Sequence, residues 1–195
     1  LQTGTHFCEY QRYSQMVKEI YLRFTDMVEE CSIDECSLDV TASQRLFGSG
    51  VEIAEKIRQT VKQELNLTVS IGVSFNKVFA KLGSDYKKPD AITTMYRDEF
   101  QKKAWVLPVS DLLYVGRSTS AKLKKLGIMT IGDLAKTDEK LLHSQFGKMG
   151  DILWAFANGY DDSPVKYEDA HAPIKSIGNS TTTPRDLVDE QDVKI

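Results

Sequence analysis

The sequence is poor in the residues that mark fibrous, stapled or membrane-spanning chains. Five prolines in 195 residues, with 41% apolar and 27% charged residues, exclude collagen-like, low-complexity and largely disordered classes. No apolar run approaches the roughly 18–20 residues that a helix needs to cross a bilayer. Three cysteines cannot all pair internally, and Cys31 and Cys36 form neither a CxxC pair nor a zinc half-site. Reduced thiols in a cytoplasmic protein are the expectation. There is no signal-like stretch, the first residue is Leu1 rather than methionine, and the chain stops at Asp192–Ile195 inside what reads as a continuing element. A piece of a longer protein is therefore expected. The length allows one ordinary domain or two small ones with a real core.

A net charge of −3 conceals three blocks: −4 over residues 1–60, +6 over 61–132 and −5 over 133–195. A basic middle between acidic flanks fits a polyanion contact confined to one region, and fits an ordinary solvated surface equally well.

Apolar residues at helical spacing (Tyr13, Met16, Val17, Ile20, Phe24) predict a helix from about Tyr10 to Thr25. The stretch from Val28 to Thr41 reads as two short strands with a tight turn near Asp34 and Glu35. A second helix is expected from Val51 to about Glu64, then a strand from Thr68 to Ser74. Gly72 inside that strand marks a close approach by another backbone or a ligand. Asn76 suits an N-cap for a helix that Pro89 must end, and Ala91–Met95 reads as one more strand. This half is α/β. After Pro108 short helices follow one another: Gly127 and Ile128 stop one of them, and Thr130 or Asp133 starts the next. Residues 160–172 read as an exposed linker, and Lys175–Thr183 as a strand.

Three groups of residues carry candidate chemistry. Asp34 and Glu35 are adjacent; in a regular strand they would face opposite ways, but at a turn both can converge on a hard cation such as Mg²⁺. A two-ion site needs further oxygens, and Asp39, five residues on, reads either as an acid behind the ligands or as a structural one. A plain polar hairpin turn is the competing reading. Lys77, Lys81 and Lys88 share roughly one side if the helix persists, and could meet phosphates or simply be solvated. Gly116 leads into a basic amphipathic helix, with Ser118 or Thr119 as its expected cap. Exposed N–H groups at such a start bind phosphate, and Lys122, Lys124 and Lys125 add charge.

Taken in order, these segments resemble the Y-family of translesion DNA polymerases, the ImpB/MucB/SamB group. Ser32–Thr41 is similar to that family's S-x-D-E-x-x-L-D-x-T palm motif, and Asn76–Pro89 to its N-K-x-x-A-K-x-x-S-D-x-x-K-P motif. Leu112–Gly127 resembles the thumb helix-hairpin-helix, and Ile174–Thr181 the first strand of the little finger. The resemblance implies an α/β (α+β) partial palm with a mixed β-sheet at 1–107 and a small all-α thumb at 108–160. A linker at 161–173 and the little-finger strand region at 174–195 would follow.

It implies a DNA-directed DNA polymerase of the lesion-bypass type, with two Mg²⁺ ions in the complete enzyme. Asp34 and Glu35 would be the catalytic metal ligands, and Lys88 would contact the triphosphate of the incoming dNTP. Val115, Gly116, Arg117, Ser118 and Lys122 would hold the primed template DNA. Localisation would be cytoplasmic, at the bacterial nucleoid and away from membranes, and a sliding clamp would dock through residues beyond Ile195. By the same resemblance, one metal-binding aspartate, the steric-gate aromatic residue and the fingers precede Leu1, so the chain alone should be inactive. Tyr114 stands where the hairpin usually has its first glycine, and a distorted turn is expected there. The alternatives are a non-catalytic helix-hairpin-helix module and, with the thumb-like hairpin arguing against it, a nucleotide cyclase.

Overall fold

The computed structural model of the chain describes residues 4–170 and 176–193. Helix α1 (Phe7–Leu22) leads into an antiparallel hairpin of β1 (Val28–Ser32) and β2 (Glu35–Leu38). A short α2 (Gln44–Phe47) and a long α3 (Gly50–Leu65) follow, then β3 (Ile71–Ser74), α4 (Lys77–Tyr86) and β4 (Ile92–Met95). Strands β3 and β4 are parallel, and α4 is the crossover that a parallel pair requires. The expected mixed sheet is thus present as one antiparallel and one parallel pair, with no ladder joining them among the described residues.

After α5 (Phe100–Ala104), which the sequence did not announce, come a 3₁₀ turn (Val109–Asp111), α6 (Arg117–Lys125), α7 (Ile131–Lys136), α8 (Glu139–Phe146) and α9 (Lys148–Ala157). A short α10 (Glu190–Val193) lies near the end. No described helix is long and apolar enough to cross a membrane.

Local chemistry sets the boundaries. Ser49 and Glu52 form a reciprocal capping box that starts α3 at Gly50, and Thr130 with Asp133 does the same for α7. The Asn76 side chain accepts from the Phe79 N–H at 3.0 Å and starts α4. At the end of α6, Gly127 takes φ +80° and the Ile128 N–H reaches the Leu123 carbonyl, also at 3.0 Å, closing a Schellman stop.

Two apolar clusters hold the chain together. One joins Ile20 of α1 to Ile53, Ile57 and Val61 of α3, with Leu38 and Ile71 packed against it. The other runs from Val78, Phe79 and Leu82 of α4 through Met95 and Phe100 to Leu123, Leu134, Leu142 and Leu153. This second core crosses the boundary expected between 107 and 108, so α4 is seated on the helical half.

The linker is more fixed than expected. The Glu168 N–H donates to the Asp26 carbonyl at 3.1 Å, and Lys18 bridges Glu30 and Glu168. Glu29 of β1 receives Lys77 at 2.9 Å and Lys166 at 3.3 Å. Burial raises the Glu29 pKa, but those two lysines outweigh it and hold the carboxyl below its ordinary value. The strand expected from Lys175 to Thr183 does not form over 176–183, and Lys175 lies outside the described residues. A strand needs a ladder partner, and Ile177 is 92% exposed with none.

Cys36 on β2 is partly buried, whereas Cys8 and Cys31 are exposed. Burial, with Glu30 nearby, pushes the Cys36 thiol up to about 11. Near pH 8 it should hold about a hundredfold less thiolate than an ordinary free thiol. Alkylation followed by mass spectrometry should therefore modify Cys8 and Cys31 first, with the Cys36 rate still climbing between pH 8 and 10.

Candidate functional site

The acidic hairpin owes its geometry to an irregularity. Glu30 pairs with Cys36 and Ser32 with Glu35, so the register shifts at Cys31. Asp34 lies in the turn ahead of β2, so the two-faced alternation of a strand does not govern it and Glu35. Asp34 sits in the exposed turn and accepts from the Ser32 hydroxyl at 2.7 Å. Glu35 opens β2 and accepts a hydrogen bond from the Lys81 ammonium. The same ammonium lies 3.0 Å from Asp85, and Asp85 receives Lys88 at 2.7 Å. Glu35 is therefore tied to Lys88 through a chain of charges along α4, while Asp34 beside it is held by Ser32.

Burial lowers the Lys81 pKa, but hydrogen bonds to Glu35 and Asp85 outweigh it and raise it above the ordinary lysine value. Burial likewise raises Asp85, and Lys88 and Lys81 outweigh that and hold it low. Both groups stay charged at neutral pH. Asp39, read as structural, accepts the Thr41 N–H at 2.9 Å through its side chain, and its carbonyl accepts the Thr25 hydroxyl at 2.7 Å.

The three lysines do not form one row. Helix α4 ends at Tyr86 and Lys87 is extended, so Lys88 leaves the helix face. Lys77 is committed to Glu29 and the Pro164 carbonyl, away from Glu35. The turn after Lys88 is held by Asp90, which receives Arg58 and Lys62 at 2.7 Å each. Lys88 itself remains 58% exposed.

Carboxylate oxygens are suitable donors for a hard divalent cation, but two carboxylates do not complete a site. Among the described residues no group of three or more His, Cys, Asp or Glu side chains could hold a metal ion. Asp34 and Glu35 fit as a share of such a site and not as the whole of it.

The second candidate region is the turn into α6. The helix begins at Arg117 with Gly116 as its cap residue and no side-chain cap. Ser118, expected with Thr119 as the cap, is instead inside the first turn, because the chain enters the helix at Arg117. Val115 is buried and anchors the turn, while Gly116, Arg117, Ser118 and Lys122 are exposed. Among the described residues Arg117, Lys122, Lys124 and Lys125 make no ion pair, in contrast to the lysines of α4. Start-of-helix N–H groups and free cations together suit a phosphate.

Tyr114 does not distort this turn. It adopts φ +69°, the conformation that glycine takes freely, and its ring lies 5.8 Å from that of Phe156. A non-glycine residue pays about 1–2 kcal/mol for that backbone, and an aromatic pair returns about 0.5–1.5 kcal/mol. Tyr114→Gly should therefore move the unfolding free energy by less than about 1 kcal/mol in urea denaturation, whereas Tyr114→Val, branched at Cβ and without the ring contact, should lose about 2 kcal/mol or more.

Sequence reasoning missed Asp85 and the specific pairing of Lys81. The i, i+4 and i, i+3 spacings to Asp85 were visible, but the contact with Glu35 is a tertiary one.

The architecture, a bulged acidic hairpin beside a lysine-bearing crossover helix and then a basic turn into a helical half, is that of a polymerase palm and thumb. Residues 3–85 match the impB/mucB/samB family and residues 110–161 match a domain described as DNA polymerase-iota, thumb domain. The chain belongs to the impB/mucB/samB family, carrying palm and thumb. It is 55% identical over 186 residues to DNA polymerase IV of Acetivibrio thermocellus, covering 95% of this chain and 47% of that protein. With DNA polymerase IV of Clostridium acetobutylicum it shares 42% identity, covering 96% and 46%. The chain thus spans about half the length of the curated relatives it matches. Among solved structures, DinB from Sulfolobus solfataricus superposes with a TM-score of 0.77 at 27% identity, covering 86% of this chain and 50% of that one. An insertion ternary complex of Dbh DNA polymerase gives 0.77 at 28%, covering 85% and 48%.

Proposed function

We propose that this chain is the palm-and-thumb portion of a lesion-bypass DNA polymerase that transfers nucleotides from dNTP to a primer 3′-hydroxyl. The observation that carries this reading is the linkage of Glu35, the neighbour of Asp34 at the hairpin turn, to Lys88 through Lys81 and Asp85. In the reaction the 3′-hydroxyl oxygen bonds to the α-phosphorus, the hydroxyl proton leaves, and pyrophosphate departs. Bound Mg²⁺ would lower the hydroxyl pKa and stabilise the leaving group. Asp34 and Glu35 present carboxylates for it, alongside at least one more supplied from outside the described residues. Lys88 offsets phosphate charge, and Gly116, Arg117, Ser118 and Lys122, seated by Val115, hold the duplex backbone without reading sequence. The working location is the cytoplasm, at the nucleoid, with primed template DNA and dNTP as partners. The domain limits at 107/108 and 160/161 remain the working division.

For the 195-residue chain by itself a second reading has support: duplex binding without catalysis, because two carboxylates do not make a metal centre. Both readings require the thumb to bind DNA. Replacing Lys122, Lys124 and Lys125 together by alanine should weaken duplex binding about tenfold near 100 mM salt and flatten its dependence on salt. Unchanged affinity and slope, measured by fluorescence anisotropy, would remove the thumb from both.

A further inference from the structure

We propose that Lys81 is a positioning residue, the resting counter-ion of Glu35, which is left to Asp85 alone when a divalent cation takes the carboxylate and so frees Lys88 for phosphate. The inference rests on the reading of Glu35 as a metal ligand.

Three observations carry it. First, Lys81 is placed between two carboxylates on different elements. Glu35 comes from β2, and Asp85 lies one turn further along α4, 3.0 Å from the same ammonium. An ammonium seated on a carboxylate repels a second cation there, so the two must compete for Glu35. Asp85, already a partner of that ammonium, keeps it paired when Glu35 is taken by a cation.

Second, Asp85 already holds another cation, Lys88, at 2.7 Å. Two ammonium groups on one carboxylate repel each other. Full transfer of Lys81 to Asp85 therefore loosens Lys88, which is 58% exposed and free to reach outward. Third, the neighbouring Lys77 has no such freedom. It is fixed by Glu29 and the Pro164 carbonyl, which makes it a structural tie and leaves Lys81 as the lysine of α4 that touches Glu35. The consequence is a coupling in which cation binding and phosphate binding favour each other, as linkage requires of both directions.

A purely structural lysine would cross-link α4 to β2, and its removal would leave cation affinity unchanged or lower it. The test is titration of the 195-residue chain with Mn²⁺, following the free ion by electron paramagnetic resonance. Lys81→Met should bind Mn²⁺ about three- to fivefold more tightly than the unsubstituted chain, the range spanned by an exposed ion pair. Lys81→Gln, a second neutral variant, carries the same expectation, and Lys81→Arg should match the unsubstituted chain. Asp85→Asn, which leaves the ammonium nowhere else to sit, should bind about threefold more weakly.

Equal or weaker binding by both neutral variants overturns the counter-ion role. Unchanged binding by Asp85→Asn overturns the transfer to Asp85. Glu35→Ala separates the two levels: if it binds Mn²⁺ as well as the unsubstituted chain does, the metal-ligand reading fails and the inference falls with it. If Glu35→Ala abolishes binding while the Lys81 variants are silent, only the lysine's role is lost.

Discussion

Replacing Gly72 by alanine is expected to lower the melting temperature of the chain by about 10 °C, corresponding to roughly 3 kcal/mol for a domain of this size. Gly72 lies on β3 where α4 crosses it. A Cβ added there would stand 1.8 Å from the Ala80 carbonyl oxygen, 2.6 Å from the Ser84 nitrogen and 2.8 Å from the Ala80 carbonyl carbon. All three are backbone atoms of the helix, so no side chain can rotate away, and strand and helix must separate. Gly83 on the facing side of α4 is packed 3.1 Å from the Gly72 Cα by the same measure, so the approach is close from both partners. The effect should also reach the site, because α4 carries Lys81 and Asp85. Gly178→Ala is the control: nothing lies within 4 Å of its added Cβ, and its melting temperature should stay within about 1 °C. Differential scanning calorimetry of both variants decides the matter.

Alanine at Asp34 or Glu35 should have the largest effect on activity. The background for this experiment is a chimera in which this chain replaces the matching half of the Acetivibrio thermocellus DNA polymerase IV, a substitution made reasonable by 55% identity across 186 residues. Loss of a metal-binding carboxylate removes several kcal/mol of transition-state stabilisation, so each variant should lower the single-nucleotide incorporation rate by about 10³-fold or more. Duplex binding should stay within about twofold, because the duplex contact proposed for the thumb turn at Val115–Ser118 does not involve the hairpin. Loss of binding and incorporation together would mean that the hairpin is needed for folding and is not a metal ligand.

Much of this was readable in the residues. The caps at Asn76 and Thr130, the Gly127 stop and the Gly72 close approach are local chemistry, and each formed as expected. The acidic turn was legible because Asp34 and Glu35 fall between two short β-rich runs. The bulge at Cys31 left no mark in the residue pattern. Lys77 and Lys81 look equivalent in sequence, yet one is tied to Glu29 and the linker and the other to Glu35. That difference depends on how β1, β2 and the segment after Tyr160 pack on α4, which a helical period cannot encode. Tyr114 was rightly singled out as a residue in a glycine's place, but its remedy, the Phe156 ring, comes from α9, more than forty positions away. The cap of α6 failed for a simpler reason. Three hydroxyl residues in succession (Ser118, Thr119 and Ser120) gave more than one plausible start, and the helix begins before all of them.

Mg²⁺-dependent extension of a primed template by the chimera, alongside the 195-residue chain alone, tests the central claim most directly. The expected result is templated extension by the chimera at a rate within about tenfold of the intact relative, with duplex binding but no extension by the chain alone. A folded chimera that binds the duplex and adds no nucleotide, while the intact relative does, would contradict the assignment of a polymerase palm to these residues.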